Sequence, residues 1–144
     1  MIAGVTDIGS LPALEQTLKF TGARHRLILH NIANLDTPNY QPRDVDPRGF
    51  QAMLAEALQE RRSAGAVNGP LHFRKTREIS FDETGKMNLD PRTPSGNILF
   101  HDRNDRDLER TMQSLAENGF MFRASAELLR SRYSIIDTAI RERV

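Results

Sequence analysis

Two long stretches of the chain set apolar residues along one side of a helix, one near each end. In the first, Leu11, Leu14, Leu18, Thr21, His25, Ile28, Ile32 and Leu35 recur at alternating three- and four-residue steps, the spacing of a coiled-coil-like seam. Ser10 is placed to cap this helix, Pro12 fits its first turn, and Glu15 lies near the positive end of the helix dipole. The spacing predicts a helix over residues 11–34. Its seam is partly polar, and isolated helices are marginal without packing, so residues 1 to about 45 are expected to be largely disordered in a free monomer.

The second stretch is more regular. Leu108, Met112, Leu115, Gly119, Phe122, Ala126, Leu129, Tyr133, Ile136 and Ile140 keep a strict 4-3 alternation, interrupted only by the weak glycine. Asn104 is a natural N-cap, with Asp105 and Asp107 in the first turn. No proline occurs over residues 108–144, so a helix there would reach about 55 Å. That is too long for a compact domain of this size, and it must lie along another helix. The two seams predict a mainly α fold in which the long terminal helices form a coiled-coil-like hairpin.

Between them, NIANLDTPNY (residues 31–40) ends the first helix abruptly. Pro38 lacks an N–H and biases Thr37 away from helical geometry, while Asn34, Asp36 and Asn39 are turn formers. Residues 35–47 read as an extended joint, and replacing Pro38 is expected to let the helix run on. Asp46-Pro47 then gives an N-cap and a proline at the first helical position. Phe50, Met53, Leu54, Ala57 and Leu58 share a face, which makes a short helix over residues 48–62. Residues 63–103 form a loop-rich middle region. LHFRK and EISFD alternate as short strands do, Asp82-Glu83-Thr84-Gly85 reads as a turn between short strands, and Ile98-Leu99-Phe100 is a further candidate strand. The chain therefore divides into residues 1–34, 35–47, 48–62, 63–103 and 104–144.

Composition narrows the function. The hydrophobic share of 38% and mean hydropathy of -0.53 provide amphipathic faces but no thick core. Twenty basic and 19 acidic residues leave a net charge of +1, without the basic excess of a nucleic-acid binder. With no cysteine there are no disulfides, thiolate metal sites or thiol catalysis. No stretch approaches the length of a membrane span, and the first residues lack the basic start and apolar block of a secretory signal. By its residues alone, the protein is expected in the cytoplasm.

Candidate chemistry is sparse, and neither an enzyme nor a cofactor is expected. His25 and His30 are five residues apart and miss the i, i+4 spacing of helical zinc ligands, and His72 and His101 have no neighbouring ligand pair. DETGKMNLD lacks the spacing and final glutamate of a calcium loop, so it reads as a solvated turn. Arg123, Arg130, Arg132, Arg141 and Arg143 interleave with Glu109, Glu117, Glu127 and Glu142, as on a solvated or partner-facing helix flank. Tyr40 and Tyr133 are candidate interface anchors or ordinary packing residues.

The segment HNIANLDTPNYQPRDVD (residues 30–46) resembles the ANxxTPxY motif of the bacterial flagellar basal-body rod family, carried here by Ala33, Asn34, Thr37, Pro38 and Tyr40, with Asn31 just before it. Residues 95–142 are similar to the family's C-terminal half, notably Ala116-Glu117-Asn118 and the closing pattern from Tyr133 to Ile140. The short length and small middle region favour a proximal-rod subunit over the longer distal-rod and hook proteins. Asn39 stands where many relatives have glycine, a replacement asparagine tolerates in a left-handed backbone.

The resemblance implies a structural protein rather than an enzyme. It implies export without a cleaved signal through the flagellar type III apparatus, then helical stacking into a rod crossing the periplasm. The implied partners are the protein itself, other rod subunits, the MS-ring/rod adaptor proteins and the export gate. A gate-recognition pattern fits Phe50 and Leu54, which equally make an i, i+4 packing pair. Assembly would rest on Leu14, Leu18, Ile28 and Ile32 of the first seam and Leu108, Met112, Leu115, Phe122, Leu129, Tyr133, Ile136 and Ile140 of the second. The residues alone leave another class open, a cytoplasmic coiled-coil adaptor or secretion chaperone that never polymerises.

Overall fold

The computed structural model describes residues 9–66, 68–82, 84–93 and 108–141. The expectations placed on residues 1–8, on Ile98-Leu99-Phe100, on His101, on the Asn104 cap with its acidic first turn, and on Glu142 and Arg143 lie outside these. In chain order the elements are α1 (Leu11–Ala33), α2 (Pro47–Ser63), β1 (Ile79–Phe81), β2 (Met87–Leu89) and α3 (Leu108–Arg141). The fold is mainly helical. Its two long helices pack together, and a small antiparallel sheet lies in the middle of the chain.

α1 starts with proline in its first turn, as the sequence predicts, but Ser10 does not cap it through its side chain. Ser10 already has helical backbone angles, and its carbonyl simply accepts from Leu14 N at 3.1 Å. The start of α1 is instead tied to the loop after α2. Arg61 of α2 donates to the carbonyls of Gly9 (2.6 Å) and Gly69 (3.2 Å), and Gly9 N donates to Asn68 Oδ1 (3.0 Å). α2 begins as expected: the Asp46 carboxylate accepts from Arg48 N and Gly49 N, which satisfies two otherwise orphaned amides.

α3 runs antiparallel to α1. Asn118 Nδ2 donates to the Thr21 carbonyl at 2.9 Å, and Tyr133 OH donates to Glu15 Oε1 at 2.8 Å, so positions rise along one helix as they fall along the other. The 23 residues of α1 span about 34 Å and the 34 residues of α3 about 51 Å. The last turns of α3 therefore extend past Leu11.

The core does not lie between the long helices. Phe20 of α1, Val45 of the joint, Phe50 and Met53 of α2 and Ile79 of β1 form the buried cluster, with Leu27, Leu54, Phe73, Phe81, Met87 and Leu89 packed around it. This corrects the expectation that α1 has little to lean on before assembly. The reason is Phe20, which falls outside the predicted seam and points into the middle of the molecule. The strands also differ from expectation. Of the two segments only EISFD forms a strand; LHFRK has no ladder, and Thr76 N donates to the Ile79 carbonyl at 2.9 Å in the turn between them. The partner of β1 is Met87–Leu89, in register Ile79↔Leu89 and Phe81↔Met87. The connecting turn forms where predicted, with Asp82 Oδ1 accepting from Thr84 N, Thr84 Oγ1 and Lys86 N.

Candidate functional site

Two features stand out: the joint between α1 and α2, and the outer surface of α3. The joint is built on Asn31. Its Nδ2 donates to the Arg43 carbonyl (2.8 Å), while its Oδ1 accepts from Arg43 N (3.1 Å) and from Tyr40 OH (2.8 Å). One buried side-chain amide thus closes the loop that leaves and rejoins α1. With its proton committed to Asn31, the Tyr40 hydroxyl can accept from His30 Nδ1 at 2.9 Å. Burial raises the Tyr40 pKa, opposed by the Arg43 charge.

The turn is reached by tightening the end of α1. Asn34 N and Leu35 N donate to the carbonyls of Asn31 and Ile32 (both 3.2 Å), and Asn34 Nδ2 takes up the His30 carbonyl at 2.8 Å. Two further turns follow, Thr37 N to Asn34 O and Tyr40 N to Thr37 O, with Asn39 in the left-handed region at φ 60. α1 has therefore already ended at Ala33 before Pro38 is reached.

Beyond Tyr40 the chain is fixed by a bidentate ion pair. Arg24 Nε and Nη2 donate to the two Asp44 oxygens at 2.9 and 2.6 Å, with the Arg24 side chain buried. Asp44 and Arg92 exchange both backbone hydrogen bonds at 2.9 Å, which joins the joint to the strand region. Neither Arg24 nor Asp44 was singled out in the sequence. The available signal was a cation one heptad before Asn31, on the same face of α1.

On α3 the buried positions are Asn118 and Ser125, seven residues apart. These small polar residues mark where α1 comes closest, and each is satisfied, Asn118 by Thr21 O and Ser125 Oγ by Phe122 O (2.9 Å). The apolar arc of α3 is wider than α1 can cover. On one side of the contact Met121, Leu128 and Ile135 remain exposed, and on the other Leu108, Met112, Phe122, Tyr133 and Ile140 do. Large apolar side chains left exposed along both flanks of one helix are what an interaction surface offers. Gly119 lies on this second flank, and a Cβ added there would meet nothing within 4 Å.

The predicted assembly residues divide accordingly. Ile28 is buried; Leu14, Leu18, Ile32, Leu115, Leu129 and Ile136 are half-buried at the α1–α3 contact or beside it; the rest of the second seam is open. In the motif, Asn31 and Tyr40 are brought together, Asn34 caps α1, and Ala33, Thr37 and Pro38 face outward. Phe50 and Leu54 face the core, with Phe50 stacked on Phe20. Tyr133 has its pKa raised, first by its hydrogen bond to Glu15, then by burial and the Glu15 charge. Among the described residues no group of three or more His, Asp or Glu side chains could hold a metal ion, and no helix is long and apolar enough to cross a membrane.

No family model matches the chain. Individual curated proteins do. It is 32% identical over 130 residues to the flagellar basal body rod protein FlgB of Cereibacter sphaeroides, covering 88% of this chain and 89% of that one. The FlgB of Escherichia coli K12 is 30% identical over 117 residues, 80% of each chain. That of Bacillus subtilis 168 is 26% identical over 133 residues, 92% of this chain and 93% of its own.

Proposed function

The chain belongs to the FlgB family of flagellar basal body rod proteins, and from that premise we propose that it is a structural subunit of the proximal rod, built to be stacked rather than to catalyse. The observation that carries this reading is the uncovered apolar arc of α3. At about 25 cal/mol per Å², burying even a few hundred Å² against each of several neighbours gives a strong assembly. Surfaces on different faces of one molecule make head-to-tail contacts, which generate a helix when the rotation does not close.

The subunit is made in the cytoplasm, exported by the flagellar type III apparatus, and assembled in the periplasm with copies of itself, other rod subunits and the MS-ring/rod adaptor proteins. Recognition of Phe50 and Leu54 by the export gate requires an unfolded chain, since both residues face the core in the folded one. The joint sets the angle between the axial helices and the outer part, and its hydrogen bonds form only once the chain has folded at its destination.

The test uses a strain lacking the native gene. Met112→Glu with Leu128→Glu, both at exposed positions, should leave the purified protein folded and exported yet abolish rods in isolated basal bodies. Rods of normal number with this variant would remove the assembly role from α3.

A further inference from the structure

Resting on the subunit reading above, we propose that the groove between α1 and the tip of the β1–β2 hairpin receives the outward face of α3 from a second copy of this chain. The groove holds about 510 Å³. Its floor is Gly22 and Ala23 of α1, and Leu18, Met87 and Leu89 make its walls apolar. Gly22 has no side chain, and its nearest neighbour is the Phe122 ring, 3.6 Å from where a Cβ would stand, at the edge of the groove. That ring packs over Gly22 and closes one edge of the groove, so an occupant enters beside it, over Ala23 and against Met87 and Leu89.

The rim of the groove is cationic. Lys19, Arg26 and Lys86 line it, and among the described residues neither Lys19 nor Arg26 is in an ion pair. The occupant should be apolar with carboxylates beside it, and α3 presents that combination. Phe120 is 72% exposed, and Leu128 follows two turns later at 55%. Glu117, Phe120, Ala124 and Glu127 recur at three- and four-residue steps and share a face, which Met121 and Leu128 border. The Glu127–Arg130 pair is long (3.7 Å) and exposed, so it holds Glu127 only weakly.

Lys19 and Arg26 are about 10 Å apart along α1, and Glu117 and Glu127 about 15 Å along α3, a difference long side chains cover. Phe120 would enter beside the Phe122 ring, between Ala23 and the hairpin, with the carboxylates meeting the cations. Groove and knob lie on different helices of one molecule, so each copy can offer both at once.

The chain has no cysteine, so single reporters are clean. Lys19→Cys protein mixed with Glu127→Cys protein and a short bismaleimide should give cross-linked dimer at least 10-fold faster than Lys19→Cys mixed with Arg130→Cys. Glu117→Lys with Glu127→Lys should slow assembly at least 10-fold, and Lys19→Glu with Arg26→Glu in the partner copy should restore it. Equal cross-linking at 127 and 130 overturns the proposal, and if rods still form, it overturns this contact alone. Absence of any self-association by sedimentation overturns the subunit reading with it. A Lys19→Cys chain that cross-links in basal bodies only to a different protein overturns the choice of a second copy.

Discussion

Phe20 of α1 and Phe50 of α2 lie face to face, their ring centroids 4.1 Å apart and their planes within 1°. This stack pins the N-terminal helix to the middle of the molecule. It also hides the residue that heads the export-gate pattern.

Phe20→Ala and Phe50→Ala should each cost about 3–5 kcal/mol, as buried aromatic truncations do. They should differ in export. On the proposed gate reading Phe50→Ala should lower secretion, while Phe20→Ala leaves the pattern intact and should be secreted at least as well as the parent. Secretion assayed beside chemical denaturation separates the effects, and an equal fall for both variants would leave Phe50 a packing residue only.

At the joint, Asn31→Ala strands the Arg43 amide and carbonyl and should cost about 3 kcal/mol. Pro38→Ala should cost less than about 0.5 kcal/mol, because Pro38 is exposed and α1 ends before it. Denaturation midpoints measure both. A larger loss for Pro38→Ala would return the end of α1 to the proline.

Helix positions were readable because period and caps are local. Asp46-Pro47 and the apolar face of α2 needed nothing from elsewhere in the chain. Which side of α1 meets which neighbour was not local. Phe20 falls off the regular seam, and only a middle region supplying Val45 and Ile79 gives it a partner. The rotation of α3 against α1 differs from the one the regular seam predicts for a related reason. A hydrophobic pattern weights Leu108, Met112 and Ile140, whereas close helix approach selects Asn118 and Ser125, whose polar atoms are satisfied across or within the helices. The motif residues were visible, but not that Asn31, rather than Pro38, holds the joint. β2 is not legible locally, because KMNLD reads as a turn until Phe81 finds Met87 opposite.

Both tyrosines of the chain have raised pKa values. The fold favours the protonated phenol, so this stabilisation is complete below the ordinary value near 10 and is lost as pH rises through the raised one. Ultraviolet titration should show phenolate forming later than in a free tyrosine. Glu15→Gln should bring Tyr133 back toward the ordinary value and leave Tyr40 unchanged. Two titrations at the ordinary value would show that neither the burial of Tyr40 nor the Tyr133–Glu15 hydrogen bond persists.

Gly119→Ala should stabilise the isolated subunit by about 1 kcal/mol, since a helical glycine is costly and the added methyl meets nothing. In the rod the same methyl would stand where a neighbour approaches, so rod yield should fall while thermal stability rises. A variant that gains stability and assembles normally would show that no neighbour uses the gap.

The most direct test is thiol labelling at single cysteines on α3, in the free subunit and in purified basal bodies. Cysteine at Met112 and at Leu128, one on each exposed flank, should label readily in the free subunit and at least 10-fold more slowly in the rod, while cysteine at the exposed Gln59 of α2, which no proposed contact uses, labels alike in both. Equal labelling of all three positions in both states would mean that α3 stays uncovered after assembly, and would contradict the account.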